Sequence, residues 1–407
     1  MKKSQDQKPK RLLTDKLTHQ ELGQKLDLFS FHDVAPGAPF WHPKGMIIFR
    51  ELEKYARKLN DENDYEEIST PILVKKELFE KSGHWEHFRE NMFWFDNPRD
   101  ENEHLVIKPM NCPESTLIYK STIRSYKDLP LRFAEIGRLY RNELSGTLGG
   151  LLRVRQITMD DAHIYMRPDQ TKEEVARVLD IIEKFYQTFG FDVTHVLAKR
   201  PESALGAKKD WNIAQKGLEE CLKARGVKYE VDKHGGAFYG PKIEVHIRDS
   251  QDRDWQFGTV QLDIVMLPKA LETYYINEKG KKQMPWVIHR AIFGSFERFI
   301  AILLEHTQGA LPFWLSPIQT AILPISDATA KYASEVNAEL KARGLRSWLD
   351  LRNETIGKKI REAEMQKIPY ILIAGPKEIQ NKTVAVRQRG QGDIGQRKLN
   401  EFIATIC

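Results

Sequence analysis

The residues of this chain that are best suited to chemistry are concentrated in one stretch, RNELSGTLGGLLRVRQITMDDAHIY, residues 141–165. Its charged residues are Arg141, Glu143, Arg153, Arg155, Asp160 and Asp161, and His163 follows them. Arginine presents a rigid fork of donors that matches two phosphate oxygens at once, and glycines let a loop close over a ligand. A carboxylate in the same loop can accept a hydrogen bond from an amino group. The stretch is compatible with a nucleotide triphosphate site, although a β-hairpin with solvated charges is the simpler interpretation.

Cysteine and histidine residues offer a second kind of chemistry, the binding of a metal ion. Cys112, His163 and His289 are far apart in the chain and lack the paired spacing of a zinc finger. A single cysteine is usually a buried apolar residue and a single histidine is usually hydrogen-bonded, so spacing alone predicts no site. The three cysteines, which include Cys221 and Cys407, are odd in number and widely separated. This argues against a disulfide framework and fits a reducing compartment.

The bulk composition is that of a globular protein with two or three domains. The chain has 407 residues, 41% of them hydrophobic, and its net charge of +6 is compatible with a nucleic-acid partner without requiring one. No apolar run approaches the ~20 residues of a membrane span, so we expect no membrane partner. The polar N-terminus has no apolar signal segment and meets Asp6 and Asp15 early. We therefore predict a cytoplasmic protein and favour a mitochondrial one less.

Hydrophobic periodicity predicts an α+β unit over the first three quarters of the chain. Apolar residues at helical spacing predict a helix over 45–60, and residues 170–225 have the pattern of a helix, a strand and a second helix. We expect a mostly antiparallel sheet flanked by helices. The other predicted strands are 65–73, 104–110, 131–141, 239–249 and 254–267, and the other predicted helices are 112–126 and 288–306.

The pattern changes at residues 307–317, TQGALPFWLSP, where glycine, proline and serine are concentrated. Beyond this point strands and helices alternate, up to a strand over 383–389 and a final helix. This order predicts a small α/β domain with a largely parallel sheet, and we place a domain boundary near residue 311. The fold class predicted for the whole chain is α/β, an α+β domain followed by a small α/β domain.

A second stretch connects the arginine-rich loop to a known class of proteins. In HRAIFGSFERF, residues 289–299, Arg298 is predicted to lie on a helix four residues after Gly294. Together with the strand–arginine–loop–strand unit upstream, this stretch resembles motifs 2 and 3 of the class II aminoacyl-tRNA synthetases. Motif 1 then corresponds to the helix from Gly45 and the strand that ends at Pro71.

Five separated stretches narrow the resemblance to the threonyl-tRNA synthetase family, which they match in order. The resemblance covers nearly the whole chain, from about Leu28 to Ile406. Besides the loop stretch, the matching segments are KPMNCPES (108–115), YGPKIE (239–244), WQFGTVQLD (255–263) and IHRAIFGSFERF (288–299).

By this resemblance, Cys112, His163 and His289 hold one Zn²⁺ per chain. Three protein ligands leave a tetrahedral ion open to a substrate, and threonine could complete the shell through its amino and hydroxyl groups. Valine lacks the hydroxyl, and a site built for that group rejects its absence strongly. The resemblance also places three residues against threonine, namely Asp161, Tyr239 and Gln261.

The same resemblance assigns the ATP site and the catalytic residues. Arg141 would hold the α-phosphate while charge develops on it, and Arg298 would hold the γ-phosphate. Glu143 would bind the adenine amino group, and Mg²⁺ would accompany the nucleotide. His84 is a candidate proton relay for the step in which the terminal hydroxyl of tRNA attacks the adenylate. The remaining residues assigned to ATP are Arg153, Lys242 and Gln256.

Domain limits and partners also follow from the resemblance. It implies an N-terminal extension over 1–30, a catalytic domain with the zinc site over 31–311 and an anticodon-binding domain over 312–407. The implied partners are tRNA(Thr), ATP, threonine and a second copy of the chain, in a homodimer through the motif 1 region. The residues assigned to anticodon bases are Asn353, Lys367, Glu378 and Arg387.

Family members commonly carry two further N-terminal domains, one of which hydrolyses mischarged Ser-tRNA. The ~30 residues before the match are too few for a domain, so we expect Ser-tRNA to persist. Four positions also depart from the family's usual residues. They are Ile157 (phenylalanine, which stacks on adenine), Met159 (glutamine), Leu144 (proline) and Glu114 (glycine).

Two other functions compete with that of a threonine–tRNA ligase. One is a catalytically inactive regulator or tRNA-binding protein with the same fold. Such proteins typically lose the phosphate-binding arginines or the metal ligands, and all of these residues are present here. The other is a zinc hydrolase, but the sequence contains no HExxH motif. The ligase is therefore the function that the sequence favours.

Overall fold

The structure, a computed structural model, describes residues 16–249 and 251–406. Cys407 and residues 1–15, half of the predicted N-terminal extension, lie outside the described residues. In the larger unit the helices are α1 (His19–Leu26), α2 (Pro43–Asp61), α3 (Lys76–Lys81), α4 (His84–Phe88), α5 (Cys112–Lys120), α6 (Thr171–Thr188), α7 (Lys208–Ala224), α8 (Leu267–Ala270) and α9 (Phe296–Thr307). Its strands are β1 (Phe29–Ser30), β2 (Phe40–Trp41), β3 (Glu66–Glu67), β4 (Leu73–Lys75), β5 (Phe93–Asn97), β6 (Asp100–Ile107), β7 (Arg124–Ser125), β8 (Leu131–Tyr140), β9 (Gln156–Met166), β10 (Val193–Ala198), β11 (Tyr229–Asp232), β12 (Lys242–Arg248), β13 (Asp254–Asp263), β14 (Tyr275–Ile276), β15 (Lys282–Gln283) and β16 (Trp286–Ala291).

The larger unit is organised around one eight-stranded sheet with the strand order β11-β10-β12-β13-β16-β9-β8-β3. Its neighbouring strands are antiparallel except at the two edges, where β10 runs parallel to β11 and β3 runs parallel to β8. The predicted mostly antiparallel sheet is therefore confirmed. The unit also contains three smaller sheets, β1-β2, β4-β6-β5 and β15-β14-β7.

Helices α2, α6 and α9 supply much of the apolar core of this unit. In α2, Ile48, Leu52, Ala56 and Leu59 recur at three- and four-residue spacing and are all buried, so they lie on one face of the helix. Burial of each leucine or isoleucine of this kind contributes roughly 1.5–3 kcal/mol. The helix predicted over 45–60 is confirmed. No helix in the described part of the chain is both long and apolar enough to cross a membrane.

Three predicted elements are wrong in extent. The stretch 288–306 is not one helix: its first residues belong to β16, and α9 begins only after a turn at Gly294, whose φ of +67° suits glycine. The predicted helix 112–126 ends at Lys120 and is followed by β7. The predicted strand 65–73 is interrupted around Pro71, which has no backbone N–H to give to a sheet.

Over its described residues, the smaller unit contains a five-stranded sheet and four α-helices. Its strands are β17 (Thr320–Pro324), β18 (Ser347–Leu349), β19 (Tyr370–Ala374), β20 (Thr383–Gln388) and β21 (Gly392–Lys398), and its helices are α10 (Ala330–Ala342), α11 (Ile356–Met365), α12 (Pro376–Asn381) and α13 (Leu399–Ile406). Strands β18, β17 and β19 are parallel, whereas β20 and β21 form an antiparallel hairpin. The prediction of a largely parallel sheet is therefore wrong for β20 and β21. The polar strand β21 has no hydrophobic alternation from which it could have been predicted. The domain limits 1–30, 31–311 and 312–407 remain predictions.

A buried ion pair joins the middle of the large sheet to α2. Arg290 on β16 donates from Nη1 to Asp160 Oδ1 on β9 at 2.9 Å, and from Nη2 to Asn60 Oδ1 at 2.6 Å. Asp160 Oδ2 accepts hydrogen bonds from the backbone N–H groups of Ile292 and Phe293, at 2.6 and 3.2 Å. The pair therefore also fixes the turn between β16 and α9.

Removal of the Asp160 carboxylate should be strongly destabilising, because the Arg290 charge would stay buried without its counter-ion. We expect Asp160→Ala to lower the melting temperature by roughly 6 °C or more, the equivalent of about 3–5 kcal/mol. The matched control is Glu339→Ala, which breaks an exposed ion pair with Arg343 and should cost at most about 1 kcal/mol. Equal melting temperatures of the two variants in differential scanning fluorimetry would contradict this role of the buried pair.

Candidate active site

Two adjoining cavities lie over the central strands of the large sheet. The first, here called the arginine cavity because Arg141, Arg153 and Arg298 line it, has a volume of about 270 Å³. The second, called the histidine cavity because His84 and His289 line it, has a volume of about 230 Å³. The two cavities have one wall in common. The residues that line both are Arg141, Met159, Thr259, Gln261 and Ala291.

The arginine cavity carries an excess of positive charge. Among its described lining residues, Glu143 is the one carboxylate, and it lies 2.7 Å from Arg153. Burial and the neighbouring arginines lower the pKa of Arg298, and burial lowers the pKa of Arg141. Both shifts indicate that the guanidinium charges are incompletely compensated by the protein. The cavity therefore favours an anion with several charges.

Backbone contacts orient two of these arginines. Arg141 follows β8 directly and donates from Nε to the carbonyl oxygen of Pro109 at 3.2 Å. Arg298, in the first turn of α9, donates from Nε to the carbonyl oxygen of Leu152 at 3.0 Å. The hydroxyl of Ser295 caps this turn by accepting a hydrogen bond from the Arg298 N–H. The Nε atoms thus fix the arginines, as preorganised binding of a polyanion requires.

One wall of the arginine cavity is apolar. Ile157, which is 7% exposed, packs there with Leu139 and Val154, and Met159 and Phe257 also line the cavity. The wall is aliphatic at position 157. This wall suits the flat face of a base. Gln256, a residue predicted to bind ATP, lines the same cavity.

The three candidate metal ligands meet at the histidine cavity, which Cys112 and His289 line. His163 on β9 and His289 on β16 are paired directly in the antiparallel register, and their ring centres lie 5.0 Å apart. Directly paired residues share one face of a sheet, which explains why both rings point the same way. Cys112 begins α5 beside them, and the ligand atoms of all three residues lie within 4.8 Å of one another.

The chemistry of these three residues fits a metal ion. His163 Nε2 and His289 Nδ1 are buried and have no hydrogen-bond partner among the described residues. Burial lowers the pKa of His163, which keeps the imidazole neutral as a ligand must be. Burial and nearby acids raise the pKa of the Cys112 thiol, and a bound cation would reverse this effect. One sulfur and two imidazole nitrogens are ligands that Zn²⁺ prefers.

The residues predicted to contact threonine surround the same cavity. Asp161 accepts a hydrogen bond from the Asn111 amide at 3.0 Å, and burial raises the pKa of its carboxyl group. The Tyr239 hydroxyl donates to Gln261 Oε1, and its ring centre lies 5.0 Å from that of His289. These side chains offer both donors and acceptors to a small polar molecule.

Two other predicted residues occupy less direct positions. His84 lines the histidine cavity and its Nδ1 lies 2.8 Å from Ser82 Oγ, while burial lowers its pKa to about 3. Lys242 forms an ion pair with Glu244 at 2.6 Å and is not among the residues that line either cavity.

Sequence reasoning missed three residues of the site. Thr259 lines both cavities, Asn111 binds Asp161, and Asp263 lies 3.4 Å from His289 Nε2. A carboxylate at this position can orient a metal-binding imidazole. Thr259 and Asp263 could have been found from their two-residue spacing to Gln261, since alternate residues of a strand share a face.

Glu114 is a buried carboxylate beside the site with no explained partner. It is 4% exposed, both of its oxygens lack a hydrogen-bond partner among the described residues, and burial raises its pKa to about 8. No contact in the described part of the chain accounts for this glutamate.

The four residues predicted to bind anticodon bases lie at two ends of the smaller unit. Lys367 and Arg387 line one cavity of about 320 Å³, together with Arg389. Asn353 is exposed after β18. Glu378 is largely buried at the start of α12, where it accepts hydrogen bonds from the Gly375 N–H at 3.0 Å and the Gln396 amide at 2.6 Å.

Comparisons with known proteins agree with this architecture. Residues 93–307 match the family model described as tRNA synthetase class II core domain (G, H, P, S and T). Residues 319–407 match the model described as anticodon binding domain.

Individual relatives narrow the family. The threonine–tRNA ligase of Carboxydothermus hydrogenoformans is 49% identical over 96% of this chain, which spans 61% of that relative's length. The RNA binding domain of threonyl-tRNA synthetase from Cryptosporidium parvum Iowa II has a TM-score of 0.92 and 39% identity, over 96% of this chain and 98% of that one. A putative threonyl-tRNA synthetase from Aeropyrum pernix has a TM-score of 0.83 and 27% identity, over 96% and 95% of the two chains. The chain therefore belongs to the class II tRNA synthetases and, among them, to the threonyl-tRNA synthetase family.

Proposed function

We propose that the protein is a threonine–tRNA ligase, which activates threonine with ATP and transfers it to tRNA(Thr). The observation that carries the proposal is the shared wall between the arginine cavity and the histidine cavity. Activation joins the carboxylate of an amino acid to the α-phosphate of ATP. Two cavities in contact at Arg141, one suited to polyphosphate and one suited to a small polar molecule, provide the required geometry.

ATP fits the arginine cavity. Arg141 stands at the shared wall, where it would contact the α-phosphate and stabilise the charge that develops there during attack. Arg298 and Arg153 would bind the outer phosphates, with Mg²⁺ to offset the remaining charge. Glu143 would accept from the adenine amino group, which requires it to share its carboxylate with Arg153. Lys242 would have to leave Glu244 to take part.

Threonine fits the histidine cavity. Cys112, His163 and His289 would hold one Zn²⁺, which would supply coordination positions for the amino and hydroxyl groups of threonine. Asp161 would accept a hydrogen bond from the substrate amine or hydroxyl. Tyr239 and Gln261, which are already hydrogen-bonded to each other, would close the other side.

The transfer step brings in tRNA. His84 lines the cavity where the terminal hydroxyl would arrive, and burial, which lowers its pKa, keeps its imidazole neutral with a nitrogen that could accept a proton. The smaller unit would bind the anticodon, with Lys367 and Arg387 at one cavity and Asn353 exposed after β18. Side-chain donors of this kind suit unpaired bases.

A homodimer through the motif 1 region is also part of the proposal. Two large apolar residues, Leu73 on β4 and Phe95 on β5, are exposed on the same face of the sheet β4-β6-β5, which follows the motif 1 strand in the chain. Exposed apolar residues that share a face are available to an interface. A cytoplasmic location is proposed on the bacterial origin of relatives such as that of Carboxydothermus.

The alternative function, an inactive regulator or tRNA-binding protein, explains fewer of the observations. It gives no reason for three arginines around one cavity or for unpartnered nitrogens on His163 and His289. Each of these features carries a free-energy cost without a ligand, since unpaired buried polar groups are unfavourable.

The first prediction from the proposed function concerns the metal. Purified protein should contain about one zinc per chain, and Cys112→Ser should lose both the zinc and threonine-dependent ATP–pyrophosphate exchange, because a serine hydroxyl is a poor zinc ligand. Cys221→Ser is the control, since Cys221 lies in the core away from the cavity. Elemental analysis and exchange assays measure both effects. Full zinc content and normal exchange in Cys112→Ser would exclude this site.

The second prediction concerns the shared wall. Arg141→Ala should lower the rate of pyrophosphate exchange by about 100-fold or more, because one preorganised donor to the transition state is lost. Arg138→Ala, at an exposed position of β8 three residues before Arg141, should leave the rate unchanged. Affinity for tRNA should change little in either variant. An unchanged exchange rate in Arg141→Ala would mean that the loop is only a hairpin.

The third prediction concerns the choice of amino acid among all twenty in the exchange assay. Serine keeps the hydroxyl and should be activated at about 10- to 200-fold lower efficiency than threonine, whereas valine should fall by roughly 10⁴-fold. The reason is that a buried site for a hydroxyl leaves its polar groups unpaired when that hydroxyl is missing. If valine were activated as well as serine, the histidine cavity would not be the amino-acid site.

A further inference from the structure

We propose that His19, on α1, is a positioning residue for ATP. It holds the arginine-rich loop, residues 141–155 between β8 and β9, in the position in which the loop borders the arginine cavity. The inference rests on the proposed function, because that function places ATP in the arginine cavity. His19 lines neither cavity and lies outside the residues 93–307 that match the synthetase core. Its effect on ATP would pass through the loop backbone.

Two consecutive loop residues are anchored. The backbone N–H of Leu151 donates to His19 Nε2 at 3.1 Å. The carbonyl oxygen of the next residue, Leu152, accepts from Arg298 Nε at 3.0 Å. Arg153, which lines the arginine cavity, follows directly. The position of Arg153 therefore depends on both anchors.

His19 is itself held rigidly. It is 4% exposed, and Glu305 Oε1 lies 2.7 Å from its Nδ1 and 3.0 Å from its backbone nitrogen. Because the Leu151 N–H can only donate, Nε2 must be the acceptor and the ring proton must be on Nδ1, directed at Glu305. The carboxylate thus selects the tautomer that can bind the loop.

Close approach of the loop requires glycine at position 150. Gly150 has a φ of +57°, and a Cβ atom there would lie 2.3 Å from His19 Nε2. This explains one glycine of the loop by its contact with α1, independently of any ligand.

Helix α9 holds the loop along two routes. Arg298, in its first turn, binds Leu152 directly, and Glu305, seven residues later and therefore on the same helical face, binds the loop through His19. Loop and helix thus form a closed ring of contacts in which His19 provides a hydrogen bond from α1 to the loop backbone. Loss of that hydrogen bond should free the loop while leaving Arg298 in place.

The attachment of α1 has a second, separate contact, which provides a control. The N–H of Leu17 donates to Gln308 Oε1 at 2.8 Å, and Gln308 Nε2 donates to the Leu17 carbonyl oxygen at 3.1 Å. Gln308→Ala would loosen the start of α1 without removing the contact between His19 and Leu151.

Two variants of His19 separate its two hydrogen bonds. In His19→Gln the amide oxygen can take the place of Nε2 and still accept from Leu151. In His19→Asn the shorter amide can still donate to Glu305 but cannot reach the loop. The KM values for ATP and threonine are measured for both variants, and for Gln308→Ala, by threonine-dependent pyrophosphate exchange, together with melting temperatures.

We expect His19→Asn to raise the KM for ATP about tenfold, because a buried N–H loses its acceptor, with the KM for threonine within about twofold of the native value. His19→Gln should stay within about threefold for ATP, and Gln308→Ala should lower the melting temperature without changing the KM for ATP. A rise in the KM for ATP in Gln308→Ala equal to that in His19→Asn would overturn the proposal. Equal rises in both KM values in His19→Asn would also overturn it.

The outcome for this proposal is distinguishable from that for the proposed function. If the native protein shows no threonine-dependent exchange, the ligase function fails. Calorimetric titration of the same variants with Mg²⁺–ATP then tests His19 alone. Weaker binding in His19→Asn than in His19→Gln supports the positioning role, and equal binding excludes it.

Discussion

The site depends on the buried ion pair between Asp160 and Arg290. Each residue of the pair precedes or follows a residue of the site, since Asp161 comes directly after Asp160 and His289 directly before Arg290. Successive side chains of a strand point to opposite faces, so a pair that is locked on the core side fixes its neighbours on the cavity side. Asp160 also binds the two N–H groups of the turn that leads into α9. A buried pair of this kind contributes more to placement than to net stability.

The β8–β9 hairpin and α9 position residues of the arginine cavity and of the candidate metal site. The hairpin provides Arg141 where its first strand ends and His163 within its second strand. Helix α9 provides Arg298 in its first turn and, through Glu305, the attachment of α1. The central strands β13 and β16 form the common floor of the two cavities, which Gln261 and Ala291 both line. Most side chains of the site are therefore carried by regular elements; the exceptions are those of the arginine-rich loop, Asn111 before α5 and Tyr239 in the turn before β12.

The resemblance to a known family, rather than residue type alone, assigned residues to the site. Residue types left a hairpin with solvated charges and separately buried cysteine and histidine residues as the simpler interpretations, and five matching segments assigned the arginines to ATP and Cys112, His163 and His289 to a metal ion. Patterns did not predict contacts that depend on strand register or on distant segments, such as Asp263 with His289 or His19 with Leu151. The errors in the fold have physical causes as well. The hydrophobic pattern of residues 288–306 is compatible with a strand and with a helix. The backbone turn at Gly294 divides the stretch into β16 and α9.

The pairing of β8 with β9 runs over ten residue pairs without a bulge, from Leu131 with Tyr165 to Tyr140 with Gln156. A single-residue insertion in either strand would turn every later side chain to the opposite face of the sheet. An insertion before His163 would then turn its ring away from His289 and Cys112. The exposed tip of the loop at 144–147 carries no such constraint, because its ends are held at 141 and 151–152. A change of chain length can therefore be accommodated at the tip, whereas one within either strand would displace the side chains of the site.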